Sequence, residues 1–304
     1  MRVYSNSLEL ALRSIPTPLV KLRSYSNEKV RVWAKLEWFN PFSLSIKDKP
    51  LLHILREMSR REGLEGRVLA DASSANFGIA LAALAQQFKA RARVYLPKRA
   101  ELFGRIIPRV MGAEVIETEA ELTVELLSRI LEDSRREGLL HVNQFLNDLN
   151  FESHLRITAK ELDYQARMAG LKLIAVAGSL GTSGHMAAVD FYFRNRYEGQ
   201  FKTIMAQPAG GEHIPGMRRS ETGMAWLAMI AESYELHDVT LGEALEALRR
   251  VARADGLLIG PSGGAALVAL EKSMRVNDLN GDVAVIIPDT GLKYVNLVSK
   301  LVEG

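Results

Sequence analysis

The sequence predicts an α/β protein with two mostly parallel sheets, each covered by helices. Short runs rich in β-branched residues alternate with amphipathic stretches of helical period, and this alternation is typical of parallel sheets covered on both faces. The units form two groups, one ending near Thr118 and one starting near Leu171. A chain of 304 residues with 47% hydrophobic and 25% charged residues has the size and composition of a two-domain globular protein.

The predicted elements follow from the local periodicity of apolar residues. The predicted strands are 30–36, 67–71, 92–96, 113–117, 171–177, 201–207 and 282–287. The predicted helices are 48–62, 76–88, 102–111, 122–137, 152–168, 184–195, 241–254 and 263–274. We expect an N-terminal α/β domain over residues 1–147 and a C-terminal α/β domain over residues 148–304. Residues from about 18 to 39 are a candidate addition to the sheet of the other domain.

Charge and residue usage narrow the classes of function. The formal net charge is +3, from 39 basic and 36 acidic residues without a separate block of like charge, so nucleic acid and membrane surfaces find little support as partners. The absence of cysteine excludes disulfides, thiolate metal sites and a nucleophilic thiol, and the six histidines lack metal-ligand spacing. No apolar run approaches the roughly 20 residues of a membrane span, and residues 1–12 lack a signal-peptide core, so we expect a cytoplasmic enzyme. From the cysteine and histidine usage we expect no metal.

Two polar loops follow predicted strands of the N-terminal half. Residues 40–50 (NPFSLSIKDKP) form a turn before a helix and contain Lys47. A lysine becomes a nucleophile only when it is partly desolvated, and on the residues alone a solvated side chain is the commoner case. Residues 71–78 (DASSANFG) suit the start of a helix, whose free backbone amides can also bind a carboxylate.

Further unusual loops occur in the C-terminal half. In residues 177–185 (AGSLGTSGH) the glycines let backbone amides converge on a phosphate. The spacing of these glycines favours a binding site for the phosphate of a cofactor other than a dinucleotide or nucleoside triphosphate. Residues 260–266 (GPSGGAA) and 288–291 (PDTG) are individually explained as helix starts with closely packed glycines. Residues 213–219 (HIPGMRR) contain adjacent arginines, which are usually solvated but also match carboxylate and phosphate geometry.

Taken in this order, the loops resemble the cysteine synthase family, the β-replacement branch of the fold-type-II pyridoxal phosphate enzymes. The resemblance runs from residues 17–20 (TPLV) to 289–294 (DTGLKY), and the segments QP at 207–208 and IPGMRR at 214–219 are most similar to the cysteine synthase B type. It implies two three-layer α/β domains with pyridoxal 5'-phosphate in the cleft between them. It also implies an assembly that is usually a homodimer.

The resemblance assigns roles to individual residues. Lys47 corresponds to the lysine that holds the cofactor as a Schiff base, Asn76 to the residue at its 3′-oxygen and Ser262 to the serine at its pyridine nitrogen. The residues that correspond to the phosphate cradle are Gly181, Thr182, Ser183, Gly184 and His185. Those that correspond to substrate-binding positions are Ser73, Ser74, Ala75, Phe77, Gln144 and Arg218, the last as a ligand for the phosphate of O-phosphoserine.

The implied activity is β-replacement that forms L-cysteine from O-acetylserine or O-phosphoserine and sulfide through an aminoacrylate intermediate. The departures cluster near the substrate: Phe77 replaces a family threonine and Ala75 a glycine, while His185 replaces a threonine of the cradle. Two alternatives therefore stay open. One is a serine or threonine deaminase or a threonine-synthase-like lyase with the same cofactor, and the other is a family member that binds a ligand or partner without catalysis.

Overall fold

The computed structural model of the chain describes residues 3–197, 201–230 and 233–302. The strands in these residues are β1 (Leu19–Lys21), β2 (Val30–Leu36), β3 (Val68–Ala72), β4 (Arg91–Leu96), β5 (Glu114–Glu117), β6 (Leu140–His141), β7 (Leu173–Ser179), β8 (Lys202–Pro208), β9 (Tyr234–Val239) and β10 (Gly281–Ile287). The helices are α1 (Ser7–Arg13), α2 (Asp48–Glu62), α3 (Asn76–Gln87), α4 (Leu102–Val110), α5 (Leu127–Glu137), α6 (Asp148–Ser153), α7 (Lys160–Met168), α8 (Gly184–Arg196), α9 (Leu241–Asp255), α10 (Pro261–Val276) and α11 (Val295–Val298).

One compact unit consists of residues 1–14 and 40–153. Its sheet has the order β5-β4-β3-β6, and all neighbouring strands are parallel. Successive side chains of a strand point to opposite faces, so Leu69 packs with Ile54 and Leu81 whereas Ala70 packs with Ile130. Helices α2 and α3 therefore cover one face of this sheet and α5 the other.

The second compact unit consists of residues 15–39 and 154–304. Its sheet has the order β1-β2-β10-β7-β8-β9, in which β1 is antiparallel to β2 and the other neighbours are parallel. All seven residues of the inner strand β10 are buried, as expected for a parallel strand covered on both faces. The α/β fold class predicted from the sequence is confirmed.

Several elements differ from the sequence-based prediction. Strands β1, β6 and β9 are additional, and the predicted helix 152–168 is divided into α6, a π-helical segment His154–Ala159 and α7. Residues 148–153 group with the first unit because α6 packs against α2, and residues 15–39 group with the second because β2 pairs with β10. The domain boundary after residue 147 stays a prediction.

Two kinds of feature are absent from the described ranges. None of the helices within them combines the length and the hydropathy needed to cross a membrane. Nor do these ranges contain a group of three or more histidine, aspartate or glutamate side chains arranged to hold a metal ion.

Candidate active site

Lys47 stands at the start of α2, in a turn that Asp48 holds in place. The carboxylate of Asp48 accepts hydrogen bonds from the backbone amides of Phe42 (2.7 Å) and Ser43 (2.9 Å) and from the hydroxyl of Ser43. The backbone amide of Lys47 donates to Ser45 Oγ at 3.2 Å. Hydrogen bonds to a carboxylate are stronger than those between neutral groups, so this turn presents the partly buried lysine in a defined position.

In the loop between β3 and α3, one serine hydroxyl bonds the backbone and the next is available to a ligand. Ser73 is buried, and its Oγ accepts from the amides of Ala75 (3.2 Å) and Gly78 (2.8 Å), so it satisfies two backbone donors at the start of α3. Ser74 and Asn76 are partly exposed. Because Ser74 Oγ has no hydrogen bond within the described part of the chain, its hydroxyl is available to a ligand where that of Ser73 is occupied.

Phe77 belongs to the apolar core of its unit. Its ring is only 2% exposed and lies in the cluster that includes Leu51, Ile54 and Leu81. The preceding Ala75 is also buried, and α4 lies against it so closely that a Cβ on Gly104 would come within 2.7 Å of Ala75 Cα. These two departures from the family pattern therefore fill space in the structure, and Phe77 offers a ligand only its backbone.

Gln144 is held beside the same loop by Asp71. Strands β3 and β6 are parallel neighbours, so the segments that follow them emerge at one edge of the sheet. Asp71 Oδ2 accepts from the amide of Gln144 at 2.9 Å, and Gln144 Nε2 donates to the carbonyl of Ala72 at 2.7 Å. The side-chain amide nitrogen of Gln144 is thus used internally, which leaves its carbonyl oxygen to face a ligand.

The glycine-rich loop after β7 leads directly into α8. The first amides of a helix have no partner inside the helix, so Ser183 and Gly184 offer donors to an anion at the positive end of α8. Ser183 adopts a left-handed conformation with φ of 72°, and its buried Oγ has no hydrogen bond among the described residues. A buried hydroxyl without a partner costs free energy, and a bound anion would remove that cost.

His185 lies in the first turn of α8 and is 6% exposed. Its ring packs edge-on against His154, with the ring centroids 5.8 Å apart. His154 Nδ1 is in turn 2.9 Å from Thr158 Oγ1. The imidazole that replaces a family threonine is therefore fixed by the π-helical segment, beside the predicted phosphate cradle.

Ser262 lies in the first turn of α10, the longest helix of its unit among the described residues. It is 5% exposed, and its hydroxyl makes no hydrogen bond within residues 3–197, 201–230 and 233–302. The loop at 288–291 supports this turn: Gly260 donates from its amide to the carbonyl of Asp289 at 3.0 Å, and Ile259 forms a β-bridge with Thr290. The loop at residues 288–291 thus holds the loop at residues 260–266 in place.

Arg218 is joined to the glycine-rich loop. Its amide donates to the carbonyl of Leu180 at 2.9 Å, and its Nε donates to the carbonyl of Gly181 at 3.0 Å. Burial lowers the pKa of the Arg218 guanidinium to about 10, because the charged form loses hydration. A partly buried guanidinium beside a helix start is suited to an anion. Arg219, in contrast, pairs with Glu221 and Asp238.

The structure brings the predicted residues together within each unit. In the first, the loop with Ser74 and Asn76 lies beside Gln144, and in the second, Arg218 contacts the loop that precedes α8. Two supporting residues were missed by the sequence analysis, namely Asp48 and Asp71. An acidic residue in the first turn of a helix was the available signal for Asp48, since it complements the helix dipole. Asp71 offered none, because its role depends on the pairing of β3 with β6.

Comparisons with known proteins identify the family. The family model described as pyridoxal-phosphate dependent enzyme matches residues 10–289. The chain is 31% identical over 290 residues to cysteine synthase B of Escherichia coli, covering 92% of each protein. It is 28% identical over 299 residues to the O-acetylserine dependent cystathionine beta-synthase of Bacillus subtilis, covering 92% of this chain and 93% of that protein.

Solved structures show the same fold. The O-ureido-L-serine-bound form of a mutant O-ureido-L-serine synthase superposes with a TM-score of 0.87 at 23% identity, covering 100% of this chain and 96% of that one. Cysteine synthase of Entamoeba histolytica gives a TM-score of 0.81 at 24% identity, with the same two coverages. The family model, together with the relative at 31% identity, shows that the chain belongs to the family of pyridoxal-phosphate dependent enzymes.

Proposed function

We propose that this chain is a cysteine synthase that forms L-cysteine from O-acetylserine or O-phosphoserine and sulfide. The observation that carries the proposal is a set of polar groups at the starts of helices, each fixed by its own loop. Lys47 precedes α2, Ser74 and Asn76 adjoin α3, and Ser262 lies in the first turn of α10. The relatives named cysteine synthase B support the same activity.

The residues present fit pyridoxal 5'-phosphate. The amides that begin α8 and the buried Ser183 Oγ suit its phosphate, and the hydroxyl of Ser262 suits a pyridine nitrogen. A neutral serine does not enforce protonation of that nitrogen as a carboxylate would. Such an environment favours elimination and replacement over reactions that need a long-lived carbanion.

The chain's own groups then bind the substrate and move one proton. The cofactor, when bound, draws electrons away from the α-carbon of an amino acid. Lys47 Nζ would hold the cofactor and, once its amine is free, would accept the α-proton of the substrate. Ser74 Oγ and the amides at the start of α3 would bind the substrate carboxylate, and Gln144 would orient the substrate, while Asn76 would hold the 3′-oxygen of the cofactor.

The activity is tested by supplying the purified protein with O-acetylserine or O-phosphoserine, with and without sulfide. We expect cysteine in amounts that match the acetate or phosphate released, and little keto acid. Turnover that does not depend on sulfide and accumulates pyruvate would identify a deaminase instead. The absence of turnover with either substrate, in protein that holds the cofactor, would indicate a non-catalytic family member.

Arg218 is proposed as the residue that binds the phosphate of O-phosphoserine. We expect Arg218→Ala to lower kcat/KM for O-phosphoserine by about 10- to 150-fold, the effect of losing a hydrogen bond to a charged group, and to lower that for O-acetylserine much less. Steady-state kinetics with both substrates measure the difference. Arg219→Ala is the matched control, because that neighbour is already paired with Glu221 and Asp238. Equal losses with both substrates would contradict a role for Arg218 in recognising the phosphate of O-phosphoserine.

We also propose that the protein is cytoplasmic and, as the family resemblance implies, a homodimer. The small molecules that it binds would be an amino-acid substrate and sulfide. Light scattering at two protein concentrations measures the oligomeric state directly, and a monomer mass at both would refute the dimer.

A further inference from the structure

The start of α10, where Ser262 lies, packs against a buried carboxylate from another part of the chain. Asp289 follows β10 and is 1% exposed, and the hydroxyl of Tyr294 donates to its Oδ2 at 2.6 Å. Tyr294 is itself only 3% exposed. Burying a carboxylate is costly unless donors compensate for its lost hydration, so this charge-assisted bond fixes the Asp289 side chain.

The Asp289 carboxylate occupies the space that a capping side chain would take at Gly260. Gly260 is the N-cap residue of α10 and has no side chain with which to cap the helix. A Cβ on Gly260 would collide with Asp289 Oδ1, so the carboxylate fills the space in which the side chain of a usual N-cap residue begins. A negative charge at this place also complements the positive end of the helix.

The backbone around this contact is fixed on both sides. Gly260 donates its amide to the carbonyl of Asp289 at 3.0 Å. The carbonyl of Gly260 accepts from the amides of Gly263 (3.0 Å) and Gly264 (3.1 Å). Ser262 lies inside the turn that these bonds close, two residues after Gly260. The direction of the Ser262 side chain therefore depends on Gly260, and the position of Gly260 depends on Asp289.

We propose that Asp289 and Tyr294 form a positioning pair that orients the Ser262 hydroxyl toward the pyridine nitrogen of the cofactor. Tyr294 fixes the Asp289 carboxylate, and the carboxylate holds the turn that carries Ser262. The inference rests on the proposed function only in the assignment of Ser262 to that nitrogen. It gives a role to the loop at residues 288–291, which the sequence alone explained as a helix start.

The effect of the pair is expected in the binding of the cofactor. A hydrogen bond weakens steeply when its length or angle departs from the preferred range, so a small rotation of the first turn of α10 weakens the contact of Ser262. Without the Tyr294 hydroxyl, Asp289 Oδ2 loses a donor, and the carboxylate turns toward other donors. Gly260 then loses the group that packs against it.

Cofactor binding tests the pair without turnover. Pyridoxal 5'-phosphate is titrated into the cofactor-free full chain, and the Kd and the absorbance maximum of the bound cofactor are measured. The proteins are the unaltered chain, Tyr294→Phe, Ser262→Ala and the double variant. We expect Tyr294→Phe to raise Kd about 10-fold, Ser262→Ala to raise it at least as much, and both to shift the absorbance maximum. The double variant should match Ser262→Ala within about twofold, because a positioning pair acts only through the hydroxyl that it positions.

Tyr197→Phe is the matched control. Tyr197 also donates to a buried carboxylate of the same unit, Asp163 Oδ1 at 3.1 Å, but Asp163 lies in α7 and not beside the start of α10. This variant should leave Kd within about twofold of the unaltered chain. A rise equal to that of Tyr294→Phe would overturn the inference, since the loss of any bond between a tyrosine and a buried aspartate would then suffice.

The remaining outcomes separate this inference from the proposed function. An unchanged Kd in Tyr294→Phe, or an equal further rise when Ser262 is already alanine, would overturn the positioning pair and leave cysteine synthesis standing. If Ser262→Ala leaves both Kd and absorbance unchanged, the assignment of Ser262 is wrong and the inference fails with it. The expected pattern in a protein that forms no cysteine would support the inference and refute the proposed activity.

Discussion

Lys47→Arg is expected to abolish cysteine formation, with kcat falling by at least about 10³-fold. Arginine keeps the positive charge and the length of the side chain, but its guanidinium stays protonated and cannot act as a nucleophile or as a base. The turn around Lys47 is fixed by backbone amides that donate to Asp48 and Ser45, so it does not depend on the lysine side chain. The loss is thus attributed to the amine itself.

The covalent role of Lys47 has a readout that does not depend on turnover. Borohydride reduction of the holoenzyme, followed by digestion and mass spectrometry, is expected to find the cofactor mass on the peptide that contains Lys47. Lys89→Arg, which alters an exposed lysine of the same unit, should keep both the label and the activity. A label on another lysine, or a label retained in Lys47→Arg, would contradict the assignment.

Phe77→Ala is expected to lower the free energy of unfolding by about 3–5 kcal/mol, the usual cost of removing a fully buried aromatic side chain. The ring is 2% exposed and packs in the core cluster of its unit, and the surrounding side chains would be left with a cavity. Denaturant unfolding measures the loss. Phe77→Leu, which keeps most of the apolar volume, is the matched control and should cost much less.

The same variants separate a packing role from a ligand role for Phe77. If the ring only fills the core, Phe77→Leu should leave KM for O-acetylserine within about twofold. A substitution in the core that does not touch the bound substrate acts nearly independently of the binding site. A Phe77→Leu variant of normal stability that binds the amino acid much more tightly would place the ring beside the substrate carboxylate, as the sequence pattern suggested.

Much of the fold follows from local pattern. Strand β2 has the bounds that its alternation predicts, Val30–Leu36, because apolar residues recur there at every second position over a full strand length. Strand β6 has only two residues, too few for any periodicity, and β9 carries polar residues because it lies at the edge of its sheet. These elements depend on pairing with distant strands, which the local sequence does not reveal.

The candidate site was predictable as a set of loops but not in its side-chain directions. Helical spacing already places Phe77 with Ala80, Leu81 and Leu84 on one face, so its burial was open to prediction. The sequence did not predict that Ser73 would bond the amides at the start of α3 and that Ser74 would keep a free hydroxyl, since both residues suit either role.

The central claim is tested most directly by an absorbance titration of the purified holoenzyme with O-acetylserine and O-phosphoserine in parallel. We expect visible absorbance from the bound cofactor, a shift of that absorbance when either substrate is added, and a return to the original spectrum as sulfide is supplied and cysteine appears. A protein without visible absorbance after reconstitution, or a spectrum that neither substrate changes, would contradict it.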